Sequence, residues 1–426
     1  METLWTKTAR GGFVADRAFP GPVEVAVIGG GFTGLTAARE LLIAGRSVAV
    51  FEAGRLGAGA SGTNAGFVVP NFAKADPAAV RRLLGTARGD ALLRLVGDGA
   101  NAVFETIAEE GISCDARQTG WLNPAYGAAA AAMLRQRAAD WAALGRPVRF
   151  LTADEVRAET GMAIYAGGLL DAEGGTIHPL DYLRGLARAV QHRGGTVLEQ
   201  APVERVTAVP GGGWRLHLRG LGEVLAGRVL MCTNAFTTGV AARMGRTAVP
   251  LRVYQIATAS VPPEVARRVA AQGRPVGDTR QNLFTYRLDR DGRLISGGMA
   301  VLPLGAEGRL GRAVAARLAA ELEIVPPVPT EAVWSGTAAM TPDFLPRIHQ
   351  FGEGWFGGIG CNGRGIAMTA QLGRMLARAA TGADPAGLPI PLRPLRPLPF
   401  HRLTPLAASA ALVQARLRDR VAARNG

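Results

Sequence analysis

Hydrophobic and polar positions follow three patterns along this chain. Val25-Ala26-Val27-Ile28 and Ser47-Val48-Ala49-Val50-Phe51 are short continuous apolar runs, as expected of strands buried on both faces. Between them, Leu35 to Ala44 has helical spacing and Gly45 suits a C-terminal cap,. A helix-like stretch from Leu180 to Gln191 leads into Thr196-Val197-Leu198. The runs Val203 to Val209, Trp214 to Leu218 and Glu223 to Leu225 then follow, separated by glycine-rich turns that predict an antiparallel meander,. Arg228 to Asn234 reads as a buried strand entering a turn, and Trp355 to Gly360 runs through Gly363 and Gly365 into a helical stretch, Ile366 to Ala377.

The segments in between differ in character. Ala78 to Leu95 and Ala128 to Leu144 are Ala-rich with helical periodicity, whereas Leu251 to Thr258, Leu283 to Leu288 and Leu294 to Ser296 are strand-like, with a hairpin signal at Asp291-Gly292,. The expected fold is mixed α/β: a discontinuous Rossmann-like domain with a β-meander (1–84, 152–246 and 332–386) and an interleaved antiparallel-sheet domain (85–151 and 247–331). A Pro-rich linker and basic helix complete the chain over 387–426. At 426 residues it has room for both domains,.

The chemistry begins where the first strand ends. Gly29, Gly31 and Gly34 have the spacing of a dinucleotide-binding turn, with Phe32 and Thr33 opening the helix, and Glu52 follows Gly34 by 18 residues. Such a turn lets a pyrophosphate approach bare backbone at a helix N-terminus, and the acid accepts hydrogen bonds from ribose hydroxyls. Immediately afterwards, Arg55-Leu56-Gly57-Ala58-Gly59-Ala60-Ser61-Gly62-Thr63-Asn64-Ala65-Gly66 is built of small residues able to lie flat against a planar ligand,. A nicotinamide enzyme has no obvious need of this loop.

The formal charge of +14 raises the question of a polyanionic partner, but arginines are spread along the whole chain and lysine occurs only at Lys7 and Lys74. That distribution favours a solvated basic surface over a nucleic-acid footprint. Cys114, Cys232 and Cys361 suit neither a disulfide framework nor a zinc site,, and no Ser-His-Asp or P-loop pattern is present. With no apolar run of ~18 residues and an acid at Glu2, neither a membrane span nor a secretory signal is expected. The expected setting is a reducing cytoplasm.

Five segments in order carry a resemblance: VIGGGFTGLTAARELLIAGRSVAVFEA at 27–53, RLGAGASGTNAG at 55–66, GGTIHPLDYLRGLA at 174–187, WSGTAAMTPDFLP at 334–346 and GGIGCNGRGIAMTAQLG at 357–373. Together they resemble the FAD-dependent D-amino-acid-oxidase superfamily, in texture closest to its gamma-glutamylputrescine-oxidase branch. The resemblance implies an extended FAD, a substrate pocket roofed by the second domain, and hydride removal from the carbon next to an amine to give an imine that hydrolyses. Oxygen or an electron-transfer partner would take the electrons. It places Ala53, Val203, Thr233, Asn234, Gly336, Gly360, Asn362, Gly363, Arg364, Gly365 and Ile366 along the cofactor, with Arg364 stabilising charge on the reduced ring. Tyr254 and Gln255, with Tyr286 and Arg287 on a neighbouring strand, match pocket strands, and alternation exposes one of each pair to the pocket. Tyr254 and Tyr286 are the expected ones. His178 opens a helix where it either approaches the cofactor or orients the turn, and Asp343 either acts from behind the pocket or caps its own turn.

Two departures narrow the implied chemistry. Gly336 stands where sarcosine oxidases carry the flavin-linking cysteine, so FAD is expected to be noncovalent. Ala338 stands where amino-acid oxidases carry the carboxylate-binding arginine, which favours an amine over a small D-amino acid unless Arg252, Arg287 or Arg364 supplies the cation from elsewhere. The alternatives are an N-methyl or D-amino-acid oxidase or dehydrogenase with a relocated anchor, and a tRNA-modifying or nucleic-acid-binding flavoprotein.

Overall fold

The computed structural model describes residues 2–415 except 237, 283, 302, 303, 405, 407, 408 and 411. Its first sheet has the spatial order Arg347–Gly352, Trp355–Ile359, Gly222–Met231, Val23–Ile28, Val48–Phe51, Thr196–Leu198. The last five are mutually parallel, and Arg347–Gly352 closes the edge antiparallel. Val203–Ala208 and Trp214–Leu218 fold as a meander onto the first half of Gly222–Met231. That ten-residue strand unites two segments that the sequence pattern separates. Gly227 at their junction is a point of close approach and not a turn, since a Cβ there would stand 3.1 Å from the Glu24 carbonyl oxygen on the neighbouring strand.

Helices Phe32–Ile43, Pro179–His192 and Gly365–Ala380 cover this sheet, and their apolar faces form the largest buried cluster. Thr86–Gly97 and Gly99–Glu109 contribute to the same cluster, through Leu92, Val96 and Val103. The stretch Ala78 to Leu95 is two helices, because Gly85 between them adopts φ +77°, a left-handed conformation,.

The second sheet runs Thr330–Met340, Val249–Ser260, Arg293–Gly298, Thr285–Leu288, Val276–Gly277, Trp121–Pro124, Gly168–Asp171, Val148–Leu151. It is antiparallel except where Val276 meets Leu122. Helices Pro263–Val269 and Ala306–Glu321 pack on its outer face over a separate core around Leu122, Tyr286 and Leu318. Gly168–Asp171 and Thr330–Met340 therefore sit in the second sheet, although the expected boundaries assign most of their residues to the cofactor domain. Pairing partners decide this, and they are invisible to local composition. Residues 389–399 run extended beside Arg347–Gly352; the expected terminal helix lies largely outside the described residues. No described helix is long and apolar enough to cross a membrane.

His349 ties that extended stretch down. It is fully buried, its Nδ1 donates to the Arg393 carbonyl at 2.7 Å, and its Nε2 lies 3.2 Å from the Thr247 hydroxyl. Burial pushes its pKa from 6.5 to about 4. A folded-state pKa below the unfolded one stabilises the fold fully above pH ~6.5 and loses that contribution as pH falls towards 4, by at most about 3 kcal/mol. Denaturant midpoints between pH 7 and 4 should fall less steeply in His349→Gln than in the parent. A second expectation concerns Gly34, where a Cβ would overlap the Gly29 carbonyl oxygen. Gly34→Ala should lose about 1–3 kcal/mol or more, while Gly12→Ala, with open space around it, should stay within ~0.5 kcal/mol, both read from urea unfolding.

Candidate functional site

The turn after Val23–Ile28 is shaped by what its glycines touch. Gly29 has φ +108°, and a Cβ on it would lie 2.7 Å from the Cys232 carbonyl oxygen. Gly29 and Gly34 thus serve close packing of turn, helix and neighbouring strand. At Gly31, by contrast, an added Cβ would meet only the Ser61 hydroxyl, at 3.0 Å. That hydroxyl accepts the Phe32 N–H, also at 3.0 Å. Glu52 ends the second strand, and its carboxylate accepts the Gly30 and Gly54 N–H groups, both at 2.9 Å.

These residues line a cavity of about 640 Å³, within the range of cofactor sites. Gly365 joins them from the far end of the chain. The helices that Phe32 and Gly365 begin pack so closely that a Cβ on Gly373 would stand 2.6 Å from the Thr33 carbonyl oxygen. Two helix N-termini therefore open onto one cavity, a favourable setting for a diphosphate. The buried Thr233 hydroxyl has no hydrogen-bond partner, and Thr233 lines the same cavity. An elongated space with bare backbone, a ribose-competent acid and an orphaned hydroxyl fits FAD.

Of the expected cofactor residues, Gly29, Gly31, Phe32, Thr33, Glu52, Ala53, Arg55, Gly59, Ala60, Ser61, Asn64, Val203, Thr233, Asn234, Gly360 and Gly365 line the cavity. Gly62 packs against Gly57, and Gly66 against the Ile177 carbonyl. Ala65 and Ile366 are core residues, and Gly363 is exposed. Asn362 braces the turn, accepting the Thr341 N–H at 2.7 Å and donating to the Gly360 carbonyl at 2.8 Å. Pro202, Cys232, Phe236, Thr369 and Leu372 were not anticipated as lining residues. Thr369 and Leu372 lie four and seven positions after Gly365, and that helical spacing was the signal that could have found them.

Asn64 organises the small-residue loop. Its Nδ2 donates to the Ala60 and Ser61 carbonyls, and its Oδ1 accepts the Gly66 N–H. Two indoles hold the loop from outside: Trp5 donates to the Asn64 carbonyl at 2.7 Å and Trp334 to the Thr63 carbonyl at 2.8 Å. The helix Leu4–Thr8 that carries Trp5 is short, capped by Thr3, and was not expected.

Sheet register corrects both expected tyrosines. Tyr286 pairs with Ser296 and points into the outer core, where its hydroxyl donates to the Val269 carbonyl at 2.8 Å. Its neighbour Arg287 faces the cofactor side and donates to the Gly66 and Ile177 carbonyls. Tyr254 pairs with Ser335 and Gly298, which face helix Ala306–Glu321: Ser335 bonds Glu307, and a Cβ on Gly298 would meet Val314. Gln255 pairs with Trp334 and so turns to the cofactor side. Alternation held, but the phase was one residue off in both strands.

His178 is a structural residue. Its Nδ1 accepts the Asp181 N–H at 3.1 Å as a helix cap, and its Nε2 lies 3.0 Å from the Thr8 hydroxyl. Burial holds its pKa below the ordinary value, against the opposing pull of Asp181. Asp343 caps its own turn at the Leu345 N–H and pairs with Arg347. Arg364 lies outside the cavity lining; its Nε donates to Asn71 at 3.1 Å and its guanidinium stands 5.6 Å from the Trp121 ring. Burial and the charge of Arg137 push its pKa down to about 10, and burial does the same to Arg287. Gly336 is pressed so tightly on the Thr63 side chain that a Cβ would overlap it. Cys232 and Cys361 line the cavity as buried thiols, with Cys232 pushed up to about 12 and Cys361 raised as well. Among the described residues no cluster suits a metal ion.

Residues 24–379 match the DAO family, described as FAD dependent oxidoreductase. Gamma-glutamylputrescine oxidoreductase of Escherichia coli (strain K12) is 29% identical over 361 residues, 84% of each chain. L-proline dehydrogenase from P. horikoshii superposes with a TM-score of 0.72 at 19% identity, covering 87% of this chain and 96% of that one. Glycine oxidase from Bacillus cereus ATCC 14579 gives 0.68 at 18%, covering 85% and 96%. Joined to the glycine turn, the ribose acid and the paired helix N-termini over one cavity, a match across most of the sequence establishes that the chain belongs to the DAO family of FAD-dependent oxidoreductases.

Proposed function

We propose that this FAD-dependent oxidoreductase oxidises the C–N bond of an amine that carries an acidic group some distance from the reacting nitrogen, with FAD held noncovalently. One observation carries the substrate reading. Ala338 shares the cofactor-facing side of its strand with Trp334 and Gly336, none of them a cation, while among the described residues the half-buried Arg364 guanidinium has Asn71 as its one hydrogen-bond partner and no carboxylate within ion-pair range. A carboxylate reaching Arg364 would be gripped from the start of helix Gly365–Ala380 and not from the strand that carries Ala338,. The similarity to gamma-glutamylputrescine oxidoreductase supports the same reading.

When bound, the flavin supplies the acceptor for the hydride that leaves the carbon beside nitrogen. The protein's residues bind and orient. The N-termini at Phe32 and Gly365 would hold the diphosphate, Glu52 would offer its remaining lone pairs to ribose hydroxyls, and the Thr233 hydroxyl would gain the partner it lacks among the described residues. The second sheet, through Gln255 and Trp334, covers the cofactor side and excludes water. Neutral buried thiols at Cys232 and Cys361, and the absence of room at Gly336, support a noncovalent cofactor.

Acid precipitation should accordingly release the yellow colour into the supernatant; colour kept in a washed pellet contradicts this. Anaerobic mixing should bleach the flavin faster with amines bearing a remote carboxylate than with glycine or D-alanine. Arg364→Ala should raise KM for the acid-bearing amine about 10- to 150-fold, the worth of a charged hydrogen bond of ~1.5–3 kcal/mol, and leave an amine without an acid unchanged. Rapid bleaching by glycine or D-alanine, with no response to any amine lacking an alpha-carboxylate, would overturn the substrate reading.

A further inference from the structure

A second, smaller cavity lies apart from the cofactor site and shares none of its lining residues. It is lined by Trp5 and Thr8 of the N-terminal helix, by the arginines Arg117, Arg287 and Arg290, and by the carboxylates Asp115, Asp289 and Asp291. Its free volume is about 20 Å³, room for one water-sized species.

Arg287 is the unusual wall of this cavity. It is 3% exposed, yet it forms no ion pair with any described carboxylate. Its Nη1 is used by the Gly66 and Ile177 carbonyls, its Nε is buried without a partner, and its Nη2 donates to nothing. The nearby acids are already committed: Asp115 to Arg10 at 3.4 Å and Arg290 at 2.9 Å, Asp289 and Asp291 to Arg293 at 3.1 and 2.5 Å. Arg117, an exposed residue that makes no side-chain hydrogen bond or ion pair among the described residues, adds a second cation to the lining. His178, also in the wall, is kept neutral by burial. A buried guanidinium with no carboxylate in ion-pair contact is unfavourable, and an anion compensates its charge where a water molecule only accepts a hydrogen bond.

We infer that this cavity is a binding site for one small monovalent anion, of halide size, held by Arg287 with Arg117 also in its lining. The anion neutralises the guanidinium that grips the Gly66 carbonyl, and Gly66 ends the loop whose Asn64 lines the cofactor cavity. Trp5, stacked over by Arg287 at 5.3 Å, bonds that same Asn64. Anion binding is therefore linked to docking of the N-terminal helix and to the loop that lines the cofactor cavity.

The test uses the FAD-loaded enzyme in sodium gluconate, titrated with sodium chloride or bromide at constant ionic strength. Binding of a native-state ligand raises the melting temperature in a saturable way. We expect a saturable rise with either halide, slower FAD release, and an anomalous bromide peak within hydrogen-bond reach of the Arg287 Nη2 in crystals. Arg287→Met should abolish the halide response. Should that variant fail to fold, the exposed Arg117→Ala serves instead and should weaken halide affinity at least tenfold with flavin content unchanged. A melting temperature indifferent to halide, an ordered water in the cavity at high bromide, or an anomalous peak with no saturable response in solution would each overturn the proposal, the last as an adventitious ion only.

Discussion

The contact on which the site depends is backbone against backbone, where Gly373 meets Thr33. The two helices that cross there start some 330 residues apart in sequence, and neither end alone makes a diphosphate site of this extent. A methyl group on Gly373 would push the second helix away from the first, and Gly365 would leave the cavity wall. The parallel strands Val23–Ile28, Gly222–Met231 and Trp355–Ile359 enforce the same convergence from below, since their ends lead into the two glycine-rich turns and the turn at Thr233 and Asn234, all lining one cavity. Placement of ligands beyond the carboxyl ends of parallel strands is the general case of this arrangement.

Much of this was legible in the sequence because backbone geometry writes itself into residue choice. The glycines at 29, 31 and 34, Glu52, and the loop at 55–66 each mark a place where a side chain is excluded or an acceptor required. The hairpin at Asp291-Gly292 and the helices at 180 and 366 followed from periodicity. What stayed hidden was information held between segments. Tyr286 and Arg287 differ by one position on a strand, and which of them meets the cofactor side depends on pairing with Ser296 and Ile295, not on either residue's chemistry. Asn362 and Arg364 carry polar groups in a glycine-rich turn, yet the first braces that turn and the second reaches across to Asn71. The N-terminal helix escaped notice because five residues carry too little periodic signal, although an indole and a leucine so near the start of a chain were hints of burial.

Arginine dominates the electrostatics in an orderly way. Arg39 binds Glu40, Glu109 and Glu110 from a buried position, and Arg280 bridges Asp278 and Glu321. The planar, multidentate guanidinium suits such shared contacts better than an ammonium. Arg287 and Arg364 make no such ion pair among the described residues, and both stand where the second sheet meets the cofactor side.

The position of Val23–Ile28 in the middle of its sheet has a consequence for the emerging chain. Its partner on one side, Val48–Phe51, follows after a single helix, but its partner on the other side ends at Met231. At translation rates of roughly 5–20 residues per second, the intervening stretch takes on the order of 10–40 s to appear. Throughout that interval an apolar strand offers an unpaired edge to any neighbouring chain. Crowded ribosomes and fast overexpression would therefore favour aggregation before the sheet closes, and slower synthesis at low temperature would shift the balance towards recovery of folded protein.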